Sequence, residues 1–137
     1  MTTMKKPFLL GDPCRPSHES NRMRDEGDVV SARRYFYNSS NQNLKTLIEQ
    51  RYVWMNDFIN PQDEGIEIGA GAGFSRDYIQ AENYQLTDFA DHEWLDVCNV
   101  DALNTPFDDG AYDFIVSSNM IHHVPYPPRF FDEMRRL

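Results

Sequence analysis

Apolar residues in the second half of the chain form four short runs, separated by polar and turn-forming segments. The runs cover residues 65–68, 84–88, 95–100 and 112–117, and each has the length of a strand. Strands separated by helical or loop connections favour a parallel sheet in an α/β domain. The pattern therefore predicts four parallel strands.

Helical spacing of apolar positions appears on both sides of these runs. From Leu44 to Ile59 the apolar residues follow a helical period, and Asn60-Pro61 stops the pattern. A second helix is predicted from Pro127-Pro128 to Leu137, because prolines favour its first turn and an apolar stripe follows. A further helix is expected to open near Phe74.

The segment after the first run carries the strongest signal for ligand binding. Gly69, Gly71 and Gly73 alternate directly after the apolar run, and residues without side chains let backbone N–H groups approach a ligand. The dinucleotide pattern G-x-G-x-x-G would need glycine where this chain has Phe74. Glu67 is an acid inside an apolar strand, which is costly unless the carboxyl group has a partner.

This acid followed by G-x-G-x-G resembles motif I of the class I S-adenosylmethionine (SAM)-dependent methyltransferases. Asp88 ends the second run, Asp101-Ala102 follows the third, and the segment 112–124 resembles the fourth strand and exit loop of the small-molecule methyltransferases called type 11. The resemblance covers about residues 60–137. It implies an α/β fold with a Rossmann-like, doubly wound, mostly parallel sheet in the strand order 3-2-1-4.

The resemblance also implies a cofactor and the residues that bind it. SAM would lie at the carboxyl ends of the strands, with Asp88 accepting from the ribose hydroxyls and Asp101-Ala102 contacting the adenine. Glu67 would pair with the amino end of the cofactor's methionine or with the backbone amides around it, and the helix near Phe74 would face its carboxylate. The full predicted set is Glu67, Gly69, Ala70, Gly71, Gly73, Phe74, Asp88, Asp101, Ala102 and Asn119.

Two adjacent histidines, His122 and His123, are the candidates for a catalytic base. An imidazole titrates near neutral pH and can take a proton from the acceptor. The competing interpretation is that the pair only shapes the floor of the pocket. A metal site formed with His92 is not expected, since no acid stands at a spacing that would complete it.

Composition restricts the partners. The 137 residues carry 22 acids against 13 bases, a net charge of -9, which disfavours a nucleic-acid partner. No apolar run could span a bilayer or serve as a secretory signal, so a cytoplasmic location is predicted. Cys14 and Cys98 occur in unrelated contexts, and a disulfide between them is not expected.

Three segments are predicted along the chain. Residues 1–28 form a polar, poorly ordered leader, residues 29–60 a helical lead-in that packs on the sheet or covers the cofactor, and residues 61–137 the N-terminal, cofactor-binding part of a methyltransferase domain. The family pattern continues beyond a fourth strand, so a fragment or truncated reading frame is expected. The run 112–117 would then be an exposed edge that favours self-association and leaves the chain poorly active.

The predicted function is transfer of a methyl group from SAM to oxygen, nitrogen or carbon of a small-molecule acceptor. Two alternatives stay open at this point. One is a non-catalytic remnant that keeps a cofactor-binding fold, and the other is an NAD-dependent oxidoreductase, which Phe74 disfavours.

Overall fold

The computed structural model describes residues 28–137. The expectations for Cys14 and for nearly all of the polar leader therefore lie outside the described residues. Helix α1 spans Val29–Asn38, with the carboxylate of Asp28 accepting from the N–H of Ser31 at 2.9 Å. Side-chain acceptors of this kind satisfy amides that the first helical turn leaves without partners.

The predicted lead-in helix begins two residues before Leu44. Helix α2 spans Gln42–Tyr52 and continues as a 3₁₀ helix over Val53–Phe58, so the helical region ends just before Asn60-Pro61. Phe36, Ile48 and Tyr52 from these helices share an apolar cluster with Tyr84 and Leu86, which lie on the second strand. The lead-in thus packs on the sheet.

Three parallel strands form one sheet in the order β2-β1-β3. Strand β1 spans Glu64–Ile68, β2 spans Asn83–Thr87 and β3 spans Phe114–Val116. Glu67 in the central strand pairs with Leu86 on one side and Val116 on the other. The predicted Rossmann-like parallel sheet is confirmed, with β3 shorter than the predicted fourth strand.

The predicted third strand over 95–100 is wrong. Its only sheet-like pairing among the described residues is one parallel bridge between Val97 and Thr87. The carboxylate of Asp96 accepts from the N–H of Leu86 at 2.6 Å, which takes the place of a ladder bond. Asn99 then adopts a left-handed backbone with φ 59°, and this ends the extended run.

The helix expected near Phe74 is only a four-residue 3₁₀ turn, Phe74–Asp77. The side-chain amide of Asn56 donates to the carbonyl of Tyr78 at 2.9 Å and accepts from the N–H of Gln80 at 2.8 Å. These are backbone groups that a longer helix would use itself. So short a turn offers no helix dipole to a carboxylate, and that part of the prediction is wrong.

The C-terminal helix α3 spans Pro127–Arg136 and begins at the predicted prolines. Phe130 and Leu137 from this end of the chain share an apolar cluster with Ile66 and Ile68 of β1. Cys98 is half-buried in a loop, with its Sγ 3.7 Å from the carbonyl oxygen of His92, and is a free thiol. Within residues 28–137, no helix is both long and apolar enough to cross a bilayer.

Candidate functional site

A cavity of about 250 Å³ opens where β1 and β2 end. Its walls come from the glycine loop, from the segments that follow β2 and β3, and from the lead-in helices. The lining includes Val29, Arg51, Tyr52, Ile68, Gly69, Ala70, Gly71, Phe74, Asp88, Val100, Ala102, Asn119 and His123. Ligands of parallel α/β sheets bind at this edge.

The glycine loop is held by backbone and side-chain contacts to the end of β2. The N–H groups of Gly69 and Ala70 both donate to the carbonyl of Thr87, at 3.0 and 2.9 Å. Gly71 has φ 51°, and a Cβ at this position would meet no atom within 4 Å. The loop therefore presents an open, side-chain-free surface to the cavity at Gly71.

The outer side of the loop is fixed by two side chains that the sequence interpretation missed. The indole N–H of Trp94 donates to the carbonyl of Gly71 at 2.8 Å, and the guanidinium of Arg33 donates to the carbonyl of Ala72. Arg33 also lies 4.7 Å from the ring centroid of Trp94, in a cation–π contact. Helix α1 and the loop after β2 thus hold the glycine loop together.

Asp88, the acid predicted to bind the ribose, directly follows β2. One carboxylate oxygen accepts from the N–H of Gly71 at 2.8 Å, and the other accepts from the N–H of Ala90 at 3.0 Å. The side chain lines the cavity and is half-buried. Each carboxylate oxygen has a further lone pair, so Asp88 can still accept hydrogen bonds from a ligand.

Glu67 is 1% exposed and lies below the cavity rather than in its lining. Its Oε2 accepts hydrogen bonds from the hydroxyl of Ser75 and from that of Tyr84, the latter at 3.3 Å. Burial raises the pKa of the Glu67 carboxyl to about 7, and the nearby negative charge of Asp88 acts in the same direction. The acid thus has partners within the protein, and its pairing with the cofactor stays a prediction.

Of the two residues predicted to contact adenine, one lines the cavity and the other does not. Ala102 is buried and lines the cavity, whereas Asp101 is absent from the lining. The carboxylate of Asp101 accepts from the N–H of Leu103 at 2.8 Å, which caps the local turn. Gly73 is also outside the lining, with its N–H donated to the carbonyl of Ala70 at 2.9 Å. The contact between Asp101 and adenine stays a prediction.

Asn119 and Arg51 also line the cavity. Asn119 has a left-handed backbone with φ 59°. With the side-chain amide assigned so that its oxygen faces Arg51, that oxygen accepts from both Nη1 and Nη2 of Arg51, each at 3.2 Å. The sequence offered no signal for Arg51, because a basic residue in a polar helix usually faces water.

The two histidines differ in position. They form a single 3₁₀ turn, Ile121–His123, with ring centroids 4.0 Å apart. His123 is half-buried and lines the cavity, whereas His122 is exposed. In the part of the chain that the structure describes, no three His, Cys, Asp or Glu side chains are arranged to hold a metal ion.

Comparison with known proteins gives the family. No curated protein sequence matches the chain significantly. A solved structure from Thermotoga maritima, described as a SAM-dependent methyltransferase and possible histamine N-methyltransferase, is 19% identical, with a TM-score of 0.48. That similarity covers 76% of this chain and 53% of the other, so this chain spans about half that protein's length. A family model described as a methyltransferase domain matches residues 66–137, more than half of the sequence, and the chain therefore belongs to the methyltransferase domain family.

Proposed function

We propose that this protein binds SAM and transfers its methyl group to a small-molecule acceptor. The observation that carries the proposal is the cavity at the carboxyl ends of β1 and β2, with the glycine loop and Asp88 in its lining. A nucleoside cofactor needs a backbone surface that it can approach closely and an acid that accepts from its ribose. Family membership supports the same cofactor.

The lining fits the parts of SAM in different ways. Gly71 leaves space that a Cβ would fill, so the cofactor can lie against the loop. Asp88 is positioned to accept hydrogen bonds from ribose hydroxyls through lone pairs that Gly71 and Ala90 do not use. Ala102 and Val100 supply buried apolar surface for the adenine ring.

SAM brings the reactive group, because its sulfonium makes the methyl carbon electrophilic. The residues of this chain have to orient the acceptor and exclude water, and positioning of this kind can supply much of a rate enhancement. Tyr52 and Val29 line the cavity from the lead-in helices. His123 is our candidate for receiving a proton from an acceptor, because it lines the cavity whereas His122 does not.

Calorimetric titration of the 137-residue chain with S-adenosylhomocysteine tests the proposal, with NAD titrated in parallel. We expect binding of the SAM product and none of NAD. Binding of NAD alone would contradict the proposal and favour the oxidoreductase alternative. A methyl-transfer assay with labelled SAM and pooled small-molecule acceptors then separates an enzyme from a non-catalytic remnant, because the remnant would bind the cofactor without turnover.

The partner predictions extend this proposal. Among the described strands, β3 pairs only with β1, so its other edge carries unpaired backbone groups. We propose that this edge supports self-association, and that nucleic acid is not a partner because the net charge is -9. Light scattering across a concentration series tests the first point, and a constant monomer mass would contradict it. The cytoplasmic location stays a prediction.

A further inference from the structure

Arg51 places a positive charge in the wall of the cavity, and no acid among residues 28–137 is ion-paired with it. The residue is half-buried near the end of α2 and lines the cavity. Charged groups removed from water are normally paired, so a cation in this position favours an anionic ligand.

The guanidinium is held in a defined orientation. With the Asn119 amide assigned so that its oxygen faces the guanidinium, that oxygen accepts from Nη1 and Nη2 at 3.2 Å each, and the side chain of Tyr52 also forms a hydrogen bond with Arg51. A guanidinium has five N–H donors, so these contacts leave donors available to a ligand. Its planar fork matches the two oxygens of a carboxylate, and an orientation fixed in advance reduces the entropy cost of binding.

The cavity lining therefore contains two opposite charges. Asp88 supplies a negative charge beside the glycine loop, and Arg51 supplies a positive charge from α2. A chain with net charge -9 repels anions in general, so an anionic ligand needs a local cation of this kind. A ligand with a hydroxyl-rich part and a carboxylate part would satisfy both charges.

We propose that Arg51 recognises a carboxylate group of the ligand that occupies the cavity. This inference rests on the proposed function and adds a specificity-determining residue to it. Two sources carry the same chemistry: the amino-acid part of the methyl donor, and a carboxylate on the methyl acceptor. Asn119 acts as a positioning residue, because it orients the guanidinium.

Two nucleosides distinguish the sources. S-adenosylhomocysteine carries the amino-acid carboxylate, whereas 5′-methylthioadenosine lacks it. Calorimetry on the wild-type chain and on Arg51→Met, Arg51→Lys and Arg34→Met measures both affinities. If the donor supplies the carboxylate, Arg51→Met weakens S-adenosylhomocysteine binding by roughly 10-fold to 100-fold and leaves the affinity for methylthioadenosine unchanged. Arg51→Lys should recover part of the loss, and Arg34→Met, which removes an exposed charge from α1, should change neither affinity.

The second arm tests the acceptor as the source. Benzoate and the neutral benzamide are added to each variant, with and without saturating S-adenosylhomocysteine, and Tm is measured. Stabilisation by benzoate but not by benzamide, lost in Arg51→Met and kept in Arg34→Met, would support a carboxylate on the acceptor.

The proposal is overturned if Arg51→Met weakens the binding of both nucleosides equally. It is also overturned if the substitution changes neither affinity and benzoate has no Arg51-dependent effect on Tm. Equal weakening would indicate that Arg51 only supports the cavity wall. If the wild-type chain binds neither nucleoside, the proposed function fails separately, and the benzoate arm alone decides the role of Arg51.

Discussion

The sheet beneath the cavity and the C-terminal helix each contain a largely buried glutamate side chain. One carboxyl group contacts hydroxyls, and the other contacts a guanidinium. Glu67 is 1% exposed, and the groups that donate hydrogen bonds to its carboxyl are two hydroxyls, so burial raises its pKa to about 7. The side chain of Glu133 is 11% exposed and contacts the guanidinium of Arg136, which lowers its pKa to about 2. Buried carboxylates are stabilised by cations and penalised without them.

The same difference distinguishes the region around the cavity from the region around the C-terminal helix α3. Arg136 donates to Glu133, to Asp109 and to the carbonyl of Phe107, and so joins α3 to the loop before β3. The cavity side instead combines a costly acid with left-handed glycines. Features that reduce stability are thus concentrated next to the proposed binding site, as is common where function sets the local structure.

The largest effect should come from Gly71→Val. A valine at φ 51° would be strained and would fill the open space against which the cofactor is proposed to lie, so binding of S-adenosylhomocysteine should be lost. Gly110→Val is the matched control, because Gly110 has φ 67°, has no atom within 4 Å of a Cβ and lies outside the cavity lining. Calorimetry on both variants measures the binding of S-adenosylhomocysteine, and circular dichroism checks that both are folded. Binding that survives in Gly71→Val would show that the loop glycines serve the turn alone.

The next effect is on pH-dependent stability through Glu67. Because its folded pKa is raised, the protonated acid stabilises the protein fully below the unfolded value of 4.5, and this contribution is lost as pH rises through about 7. Between about pH 5 and pH 8 the free energy of unfolding of the wild type should fall by on the order of 2 kcal/mol more than that of Glu67→Gln, which cannot ionise. Urea unfolding of both proteins measures the difference. Parallel pH profiles would contradict the raised pKa.

Glu133→Gln should give a smaller effect with the opposite pH dependence. Because the folded pKa of Glu133 is lowered, its ionised carboxylate stabilises the fold fully above about pH 4.5. This contribution disappears as the pH falls to about 2. Near neutral pH we expect a loss of roughly 1–2 kcal/mol in the free energy of unfolding, because the partner Arg136 is partly exposed. Glu49→Gln, at an exposed position on α2, is the control. A loss that persists undiminished at low pH would mean that ionisation is not the cause.

Local signals explain what the sequence could predict. The alternation of Gly69, Gly71 and Gly73 after an apolar run indicated a binding turn, and Asp88 could be placed because it follows the next strand directly. The prolines at 127 and 128 marked the start of α3 for the same reason, since their effect on the backbone is local.

Contacts between distant segments explain what could not be predicted. Whether 95–100 becomes a strand depends on Asp96, whose carboxylate takes the N–H of Leu86 from the ladder. The length of the turn at Phe74 depends on Asn56, which lies in another element. Arg51 reaches the cavity only because α2 packs beside Asn119, and no local pattern encodes that approach.

The most direct test is titration of the wild type and Asp88→Ala with S-adenosylhomocysteine. Asp88 lines the cavity and contacts the loop amide of Gly71, so its removal should weaken binding by roughly 1.5–3 kcal/mol, the range of hydrogen bonds to charged groups. Asp113→Ala, which removes an acceptor for the N–H of Glu64 outside the cavity lining, should bind as the wild type does. A folded Asp88→Ala variant with unchanged affinity, or a wild type that does not bind, would contradict the proposed cofactor site.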